Sequence, residues 1–414
     1  MHGDNDDNMK NDNKPTSDKR KQRQQEAAVQ IYTTPATVED LAFIAREFIL
    51  CTLPHSDPGN VLSWSRRNGN LTLSIVSGIN TETGKPYGIP YGIIPRLILV
   101  WIITEIIRTK SRRLKLGNRF SDFLLKLDLD PSNGTGKRSD ARRTREQLQR
   151  LIHAAVHFMI TTEDEGRHGS EGEKYDVASK WGLWWSDKYT KQDPLWGSYI
   201  EVSEGFYNSV MKAPNPLDIR VLRHIKDSSL GIDLYTILNR EAFRAMKDGK
   251  PHFLAWEWLH EQTGNEYGRL DKFRNKALEQ IAALLTVHSG LIITQQRACK
   301  GRKSGLVISN LSTPSIPPNL ARESVQRDPN RTPPVLAVVP SPEPPAPSPE
   351  RFLKPATVAW FRTLYPNIDP YACKAAYDFW VEGLAQENKP RHYDAVFKKF
   401  AERWVIGKLV VSNP

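Results

Sequence analysis

The run ARRTREQLQRLIHAAVHFMI, residues 141–160, decides how the chain folds. On a helical wheel Thr144, Leu148, Leu151, Ile152 and Ala155 share one face, while Arg142, Arg143, Glu146, Gln149 and Arg150 share the other. The first half therefore reads as an amphipathic helix with a cationic outer face, and VHFMITT (156–162) as the strand that follows it. Taken alone, such a helix is more often an ordinary solvated surface helix. Its neighbours give it a place.

Upstream, the apolar run 93–109 predicts a helix, LKL (114–116) a short strand, and RFSDFLLKL (119–127) a second helix. Downstream, VHFMITT and KWGLWW (180–185) are expected to pair across a polar turn. Helix, strand, helix, helix, hairpin is the element order of a winged helix, whose third helix enters the major groove of DNA. The order then returns. LDIRVLRHI (217–225) and GIDLYTILNREAF (231–243) read as helices, and PHFLAW (251–256) as a strand leading into the next helix. RLDKFRNKALEQIAALL (269–285) is a long amphipathic helix, and LIITQQRACKGRKSGLVIS (291–309) is two strands joined by a basic turn. Leu270, Phe273, Ala277, Ile281 and Leu284 line the inner face of that long helix, with Lys272, Asn275, Lys276 and Glu279 opposite. An incidental surface helix would have to be invoked twice, at equivalent places.

The expected fold class is therefore mainly α with small β hairpins (α+β), as two tandem winged-helix domains at 37–205 and 206–310. Residues 1–36 are polar, too poor in large apolar groups to offset the entropy of ordering, and read as a disordered tail. Residues 311–350 hold 12 prolines and read as an extended linker, followed by a small helical domain at 351–414.

The net charge of +11 and a pI near 9.4 favour a polyanionic partner. Much of the excess is local, since residues 110–150 carry 12 basic and 5 acidic side chains. DNA affinity comes chiefly from neutralised phosphates, and base reading from Arg, Lys, Asn or Gln in the major groove. The candidate DNA-binding residues are Arg142, Arg143, Gln149 and Arg150 on the first helix, and Arg269, Lys272, Asn275 and Lys276 on the second. The second hairpin turn adds Arg297, Lys300, Arg302 and Lys303. The segment 163–176, with 6 acidic and 2 basic residues, is expected to form a first wing that DNA repels, turned towards protein, or else a merely solvated loop.

Signatures of other chemistry fail. GTGK (134–137) lacks the first glycine of a phosphate loop and is followed by Arg138 where Ser or Thr is required. His153 and His157 lie four apart with no Glu after the first, and the three cysteines have no CxxC spacing, so neither a metal nor a cofactor is expected. WGLWW and WEWLH read as core aromatics in preference to stacking platforms. The run 93–107 is too short and polar to span a bilayer, and no signal-peptide pattern opens the sequence, which predicts a cytoplasmic protein off the membrane.

GIPYGIIPRLILVWIITEIIRTKSRRLKLG (88–117), with the helix ending LLKLDL, resembles the plasmid RepA replication initiators, whose first module opens with a GxPYGxxPRLxLxW pattern. NPLDIRVL (215–222) and IDLYTILNREAF (232–243) are similar to the start of that family's second module, so the resemblance covers about 88–309. IDPYACKAAYDFW and PRHYDAVFKKFAERWV resemble a helical appendage of some members. The resemblance implies a non-enzymatic protein that binds repeated sites in a plasmid origin, helps open adjacent A·T-rich DNA and brings in host initiator and helicase proteins. It also implies a monomer–dimer equilibrium with repression of its own promoter, and recognition helices starting near Ala141 and Arg269. A winged-helix transcriptional regulator and a nicking enzyme with unfamiliar chemistry are the alternatives.

Overall fold

A computed structural model describes residue 26 and residues 28–326 and 353–409, apart from 118, 133–135, 137–138, 165–166, 184–197, 265–266, 366–368 and 383–392. Helix α1 (28–33) lies within the stretch expected to be unordered. It is held at its end, where Thr34 O accepts a bond from Arg220 Nη1 at 2.9 Å, an anchor no tail composition reveals. Residues 1–25 of that expected tail, and 327–350 of the expected linker, lie outside the described residues.

Strand β1 (Leu41–Ala45), helix α2 (Arg46–Leu50) and the hairpin β2 (Ser63–Asn68) and β3 (Leu71–Val76) come next. Helix α3 (Ile93–Thr109) starts at Gly92, whose φ of 79° needs glycine, and accepts Pro95 in its first turn, where no helical N–H is missed. It is apolar nearly all round because it is nearly all buried. After it come β4 (Arg113–Lys115), α4 (Phe120–Lys126) and α5 (Asp140–Ile152), the last capped by Ser139 Oγ accepting from Arg142 N at 3.3 Å. Two hairpins follow, β5 (Ala155–Asp164) with β6 (Arg167–Asp176), and β7 (Ala178–Gly182) with β8 (Tyr199–Val202).

Helix α6 (Glu204–Lys212), strand β9 (Pro214–Asp218) and α7 (Ile219–Ile225) lead to α8 (Ser229–Asp248) and β10 (His252–Ala255). Helices α9 (Trp256–Thr263) and α10 (Leu270–Leu285) precede the hairpin strands β11 (Ile293–Gln296) and β12 (Gly305–Ile308). The fold class is α+β, as expected. Its two three-stranded sheets run β4-β8-β7 and β10-β12-β11. In each, one strand precedes a helix pair and the other two follow it, with the last strand in the middle.

Two expectations need correction. VHFMITT does not pair with KWGLWW: β5 is flanked by β3 and β6 in a separate sheet, β2-β3-β5-β6, and Trp181 lies on β7. Val156 and Phe158 turn inward against Leu73 and Ile75, and Tyr175 of β6 packs 6.0 Å from Phe158. The acidic stretch is thus the outer strand of this sheet, paired through its backbone despite a sequence with little β propensity. The linker also begins later than Leu311, because Pro318–Gln326 form helix α11 with proline at its start. Lys110 Nζ donates to Val325 O at 2.6 Å, tying α11 to the end of α3.

The two repeats are stitched together. β1 pairs with β9 from Leu41↔Asp218 to Ala45↔Pro214. Arg66 donates to Thr52 Oγ1 at 2.6 Å and to Thr263 O at the end of α9. Arg96 of α3 grips Asp233 of α8 in a buried bidentate pair of 2.8 and 2.7 Å. Its Nη1 donates to Gly92 O and Nη2 to Leu53 O, both at 2.7 Å. His55 Nε2 lies 3.1 Å from the same carboxylate.

Burial pushes the His288 imidazole down to about 3, and lowers those of His153, His224 and His260 as well. A histidine kept neutral in the fold gains a proton on unfolding, so the stability present at neutral pH is lost as pH falls from 6.5 toward about 3. Urea melts are expected to show a falling unfolding free energy from about pH 7 to about pH 5, by up to ~1.4 kcal/mol per pH unit for each such histidine. A flat profile would contradict the burial of these rings.

The C-terminal unit is helical, with α12 (Pro355–Leu364), α13 (Pro370–Glu382) and α14 (Tyr393–Leu409) around Phe361, Cys373, Tyr377 and Phe397. Among the described residues no helix is long and apolar enough to cross a membrane.

Candidate nucleic-acid interface

Helix α10 buries Phe273, Ala277, Ile281 and Leu284 and leaves Leu270 half-buried, close to the face read from its spacing. Its other side exposes Lys272, Asn275 and Lys276, joined by Arg274, which the wheel reading passes over although KFRNK contains it. Lys272 and Arg274 have no ion pair among the described residues. Lys276 Nζ is held by Glu279 at 2.8 Å, and exposed Arg269 by Asp271 at 2.7 Å. A cation with no acidic partner is the one readily given to a phosphate.

The β11–β12 hairpin closes tightly. Cys299 and Arg302 exchange backbone bonds of 3.2 and 2.9 Å, with Gly301 at φ 78°. Arg297, Lys300, Arg302 and Lys303 are all exposed along it. At its base, Trp256 N donates to Ser304 O at 3.1 Å, which sets the hairpin beside the first turn of α9. There Lys303 Nζ lies 5.8 Å from the ring of Trp258, which is 51% exposed. WEWLH is therefore split: Trp256 is core, Trp258 is surface.

The cations of α5 are placed differently. Arg143 is exposed, 3.6 Å from Asp140, and Arg142 and Gln149 are half-buried. Arg145 is buried, its guanidinium 4.6 Å over Phe120. Arg150 is turned to protein: Nη1 donates to Ile89 O at 3.1 Å, and the guanidinium lies over Tyr91 at 5.1 Å and 3.5 Å from Asp57.

The same bonds give the GIPYGIIPRL string a structural meaning. Gly88, at φ 93°, has the Arg150 guanidinium 2.8 Å from where a Cβ would stand. Tyr91 N donates to Gln147 Oε1 at 3.0 Å. The motif thus docks α5 through Gly88 and Tyr91, while its arginine, Arg96, reaches Asp233 in the string IDLYTILN of the second repeat.

The hairpin joining β7 to β8, which stands where β11–β12 stands in the second repeat, has its connection at residues 184–197, outside the described residues. The exposed acids Glu171, Glu173 and Asp176 sit on β6 instead. His153 and His157 do not share a helix. His153 caps α5, stacked on Tyr87 at 3.9 Å with Trp181 at its edge, and His157 lies on β5. Among the described residues no three His, Cys, Asp or Glu side chains come together as a metal site. Of GTGK, only Gly136 is described.

Residues 89–257 match the family model described as plasmid encoded RepA protein. The match runs from the α3 motif into α9 of the second repeat. No curated protein matches the chain in sequence. Among solved structures, domains 2 and 3 of RctB align with 62% of this chain and 93% of that chain, at 11% identity and a TM-score of 0.39.

Proposed function

We propose that the chain is a plasmid replication initiator that binds duplex DNA through two winged-helix modules, at 37–205 and 206–310, and makes or breaks no covalent bond. The observation that carries the reading is the repeat: twice, a helix, a strand and a helix pair precede a two-stranded hairpin that joins that strand in a sheet of the same order, with β5–β6 inserted before the hairpin in the first copy. In the second copy both the third helix and the hairpin present cations to solvent. The RepA match supplies the biological setting. In this reading α10 lies in the major groove and the β11–β12 hairpin follows the backbone, as the principal grip on repeated origin sites. Helix α5 contributes through Arg142, Arg143 and Gln149, with Arg150 orienting it. Opening of an adjacent A·T-rich tract, recruitment of host initiator and helicase proteins, a monomer–dimer equilibrium and repression of its own promoter complete the proposal.

Footprinting on supercoiled origin DNA of its own plasmid tests it. Protection of several repeats beside an A·T-rich tract is expected, with permanganate reactivity appearing in that tract. A single protected inverted repeat at a promoter would indicate a transcriptional regulator, and a nick or a covalent 5′ adduct with divalent metal would overturn the binding-only account.

A further inference from the structure

A cavity of about 270 Å³ opens between the β1–β9 ladder, α8 and α11, away from both candidate DNA-binding helices. Phe43, Ile316, Val325 and, at its rim, the partly exposed Phe243 give it apolar walls. Two cations line it as well, Arg240 on α8 and Arg322 on α11.

The charge around Arg240 is unbalanced. Its nearest carboxylate, Glu241, accepts Arg240 Nη1 at 2.8 Å and Arg244 Nη1 at 3.0 Å, and also lies 2.9 Å from His252 Nδ1. One buried carboxylate thus serves two guanidiniums. Burial disfavours the charge on Arg240; Glu241 opposes this, but Arg244 and Arg46 add repulsion. A second anion near Arg240 would relieve it, and the apolar walls call for that anion to carry a hydrocarbon body.

We infer that this cavity binds a small amphipathic carboxylate, with its head on Arg240, assisted by Arg322 at the mouth, and its apolar body between Phe43, Phe243, Ile316 and Val325. The volume is at the small end for ligand pockets, enough for a single ring or a short chain. Such a ligand would lie under α11, whose end is already tied to α3 by Lys110, and so would fasten α11 to both repeats. The inference stands independently of DNA binding.

Calorimetric titration of the full chain with octanoate and with 1-octanol tests it. Octanoate is expected to bind at one site, and octanol at least about tenfold more weakly, because only the carboxylate makes charge-assisted bonds. Arg240→Gln leaves Glu241 with Arg244 and His252, and should bring octanoate down to the octanol level. Ala321→Phe should fill the cavity and abolish both signals while thermal melting shows a folded chain. Should Arg240→Gln fail to fold, Arg322→Gln, at the exposed rim, should still weaken octanoate selectively. Equal binding of the two probes, no binding of octanoate, or wild-type octanoate affinity in the folded Arg240→Gln or Ala321→Phe variant would overturn the assignment.

Discussion

Asp233→Ala is expected to lower the unfolding free energy by about 3–5 kcal/mol, among the largest single-residue effects in the chain, because it strands a buried guanidinium. Arg96 has no route to water in place: it is 4% exposed, and its remaining donors are committed to backbone carbonyls of the 53–54 turn and of Gly92. Burial by itself would push the Asp233 carboxyl up, but the Arg96 guanidinium, with His55 beside it, outweighs burial and holds it far below the usual carboxylate range. A depressed carboxyl contributes stability that is fully present at neutral pH and is lost as the pH falls below the ordinary carboxylate value. The loss on substitution should therefore be largest near neutrality and shrink in strong acid. Urea melts of Asp233→Ala and of the double variant Arg96→Met/Asp233→Leu check this. The apolar pair should recover much of the loss, since it removes both charges together. A single-variant effect below about 1 kcal/mol would mean that the pair is not buried as described.

Replacing Lys272, Arg274 and Lys276 by Ala should weaken binding to origin repeats and flatten its dependence on salt, the slope of log K against log salt falling by about 0.9 for each phosphate left without its cation. Lys272 and Arg274 should account for most of the change, since Lys276 must first give up Glu279. These side chains are exposed on a helix whose packing face is untouched, so thermal stability should stay within about 0.5 kcal/mol of the parent. Arg142→Ala/Arg143→Ala should cost less affinity, because Arg143 lies beside Asp140 and Arg142 is half-buried. Equilibrium binding from low to moderate salt measures both. An unchanged slope in the triple variant would remove α10 from the interface, and a larger loss from the α5 pair would make the first module the principal grip.

Much of this architecture is legible in the sequence where period and capping agree. The helix over 93–109, the amphipathic α10 and the basic β11–β12 turn fall where apolar spacing and turn residues place them. Strand pairing is not legible in the same way. The strand β5 is evident from its apolar residues but its partner is not, because the polar segment 167–176 carries no alternating apolar signal and is drawn into the sheet by backbone bonds and by Tyr175, which turns inward. The strands β1, β2 and β3 escape the sequence reading, and with them the ladder that joins the repeats. Among the candidate site residues, a wheel sorts side chains by direction but not by what waits there. Arg150 points away from the core of its helix, yet meets Tyr91 and Ile89 from a loop some sixty residues earlier in the chain. Arg274 is legible in KFRNK, beside the lysines that the wheel picks out.

The ladder from Leu41↔Asp218 to Ala45↔Pro214 and the Arg96–Asp233 clasp fasten the two halves to one another at two separate places. If both halves grip one DNA site, as proposed, these joints set the distance between their two contacts, as a ruler does. An origin repeat with about 5 bp inserted at its centre, roughly half a turn of the double helix, should present its second half to empty solvent and be gripped by one reading head alone.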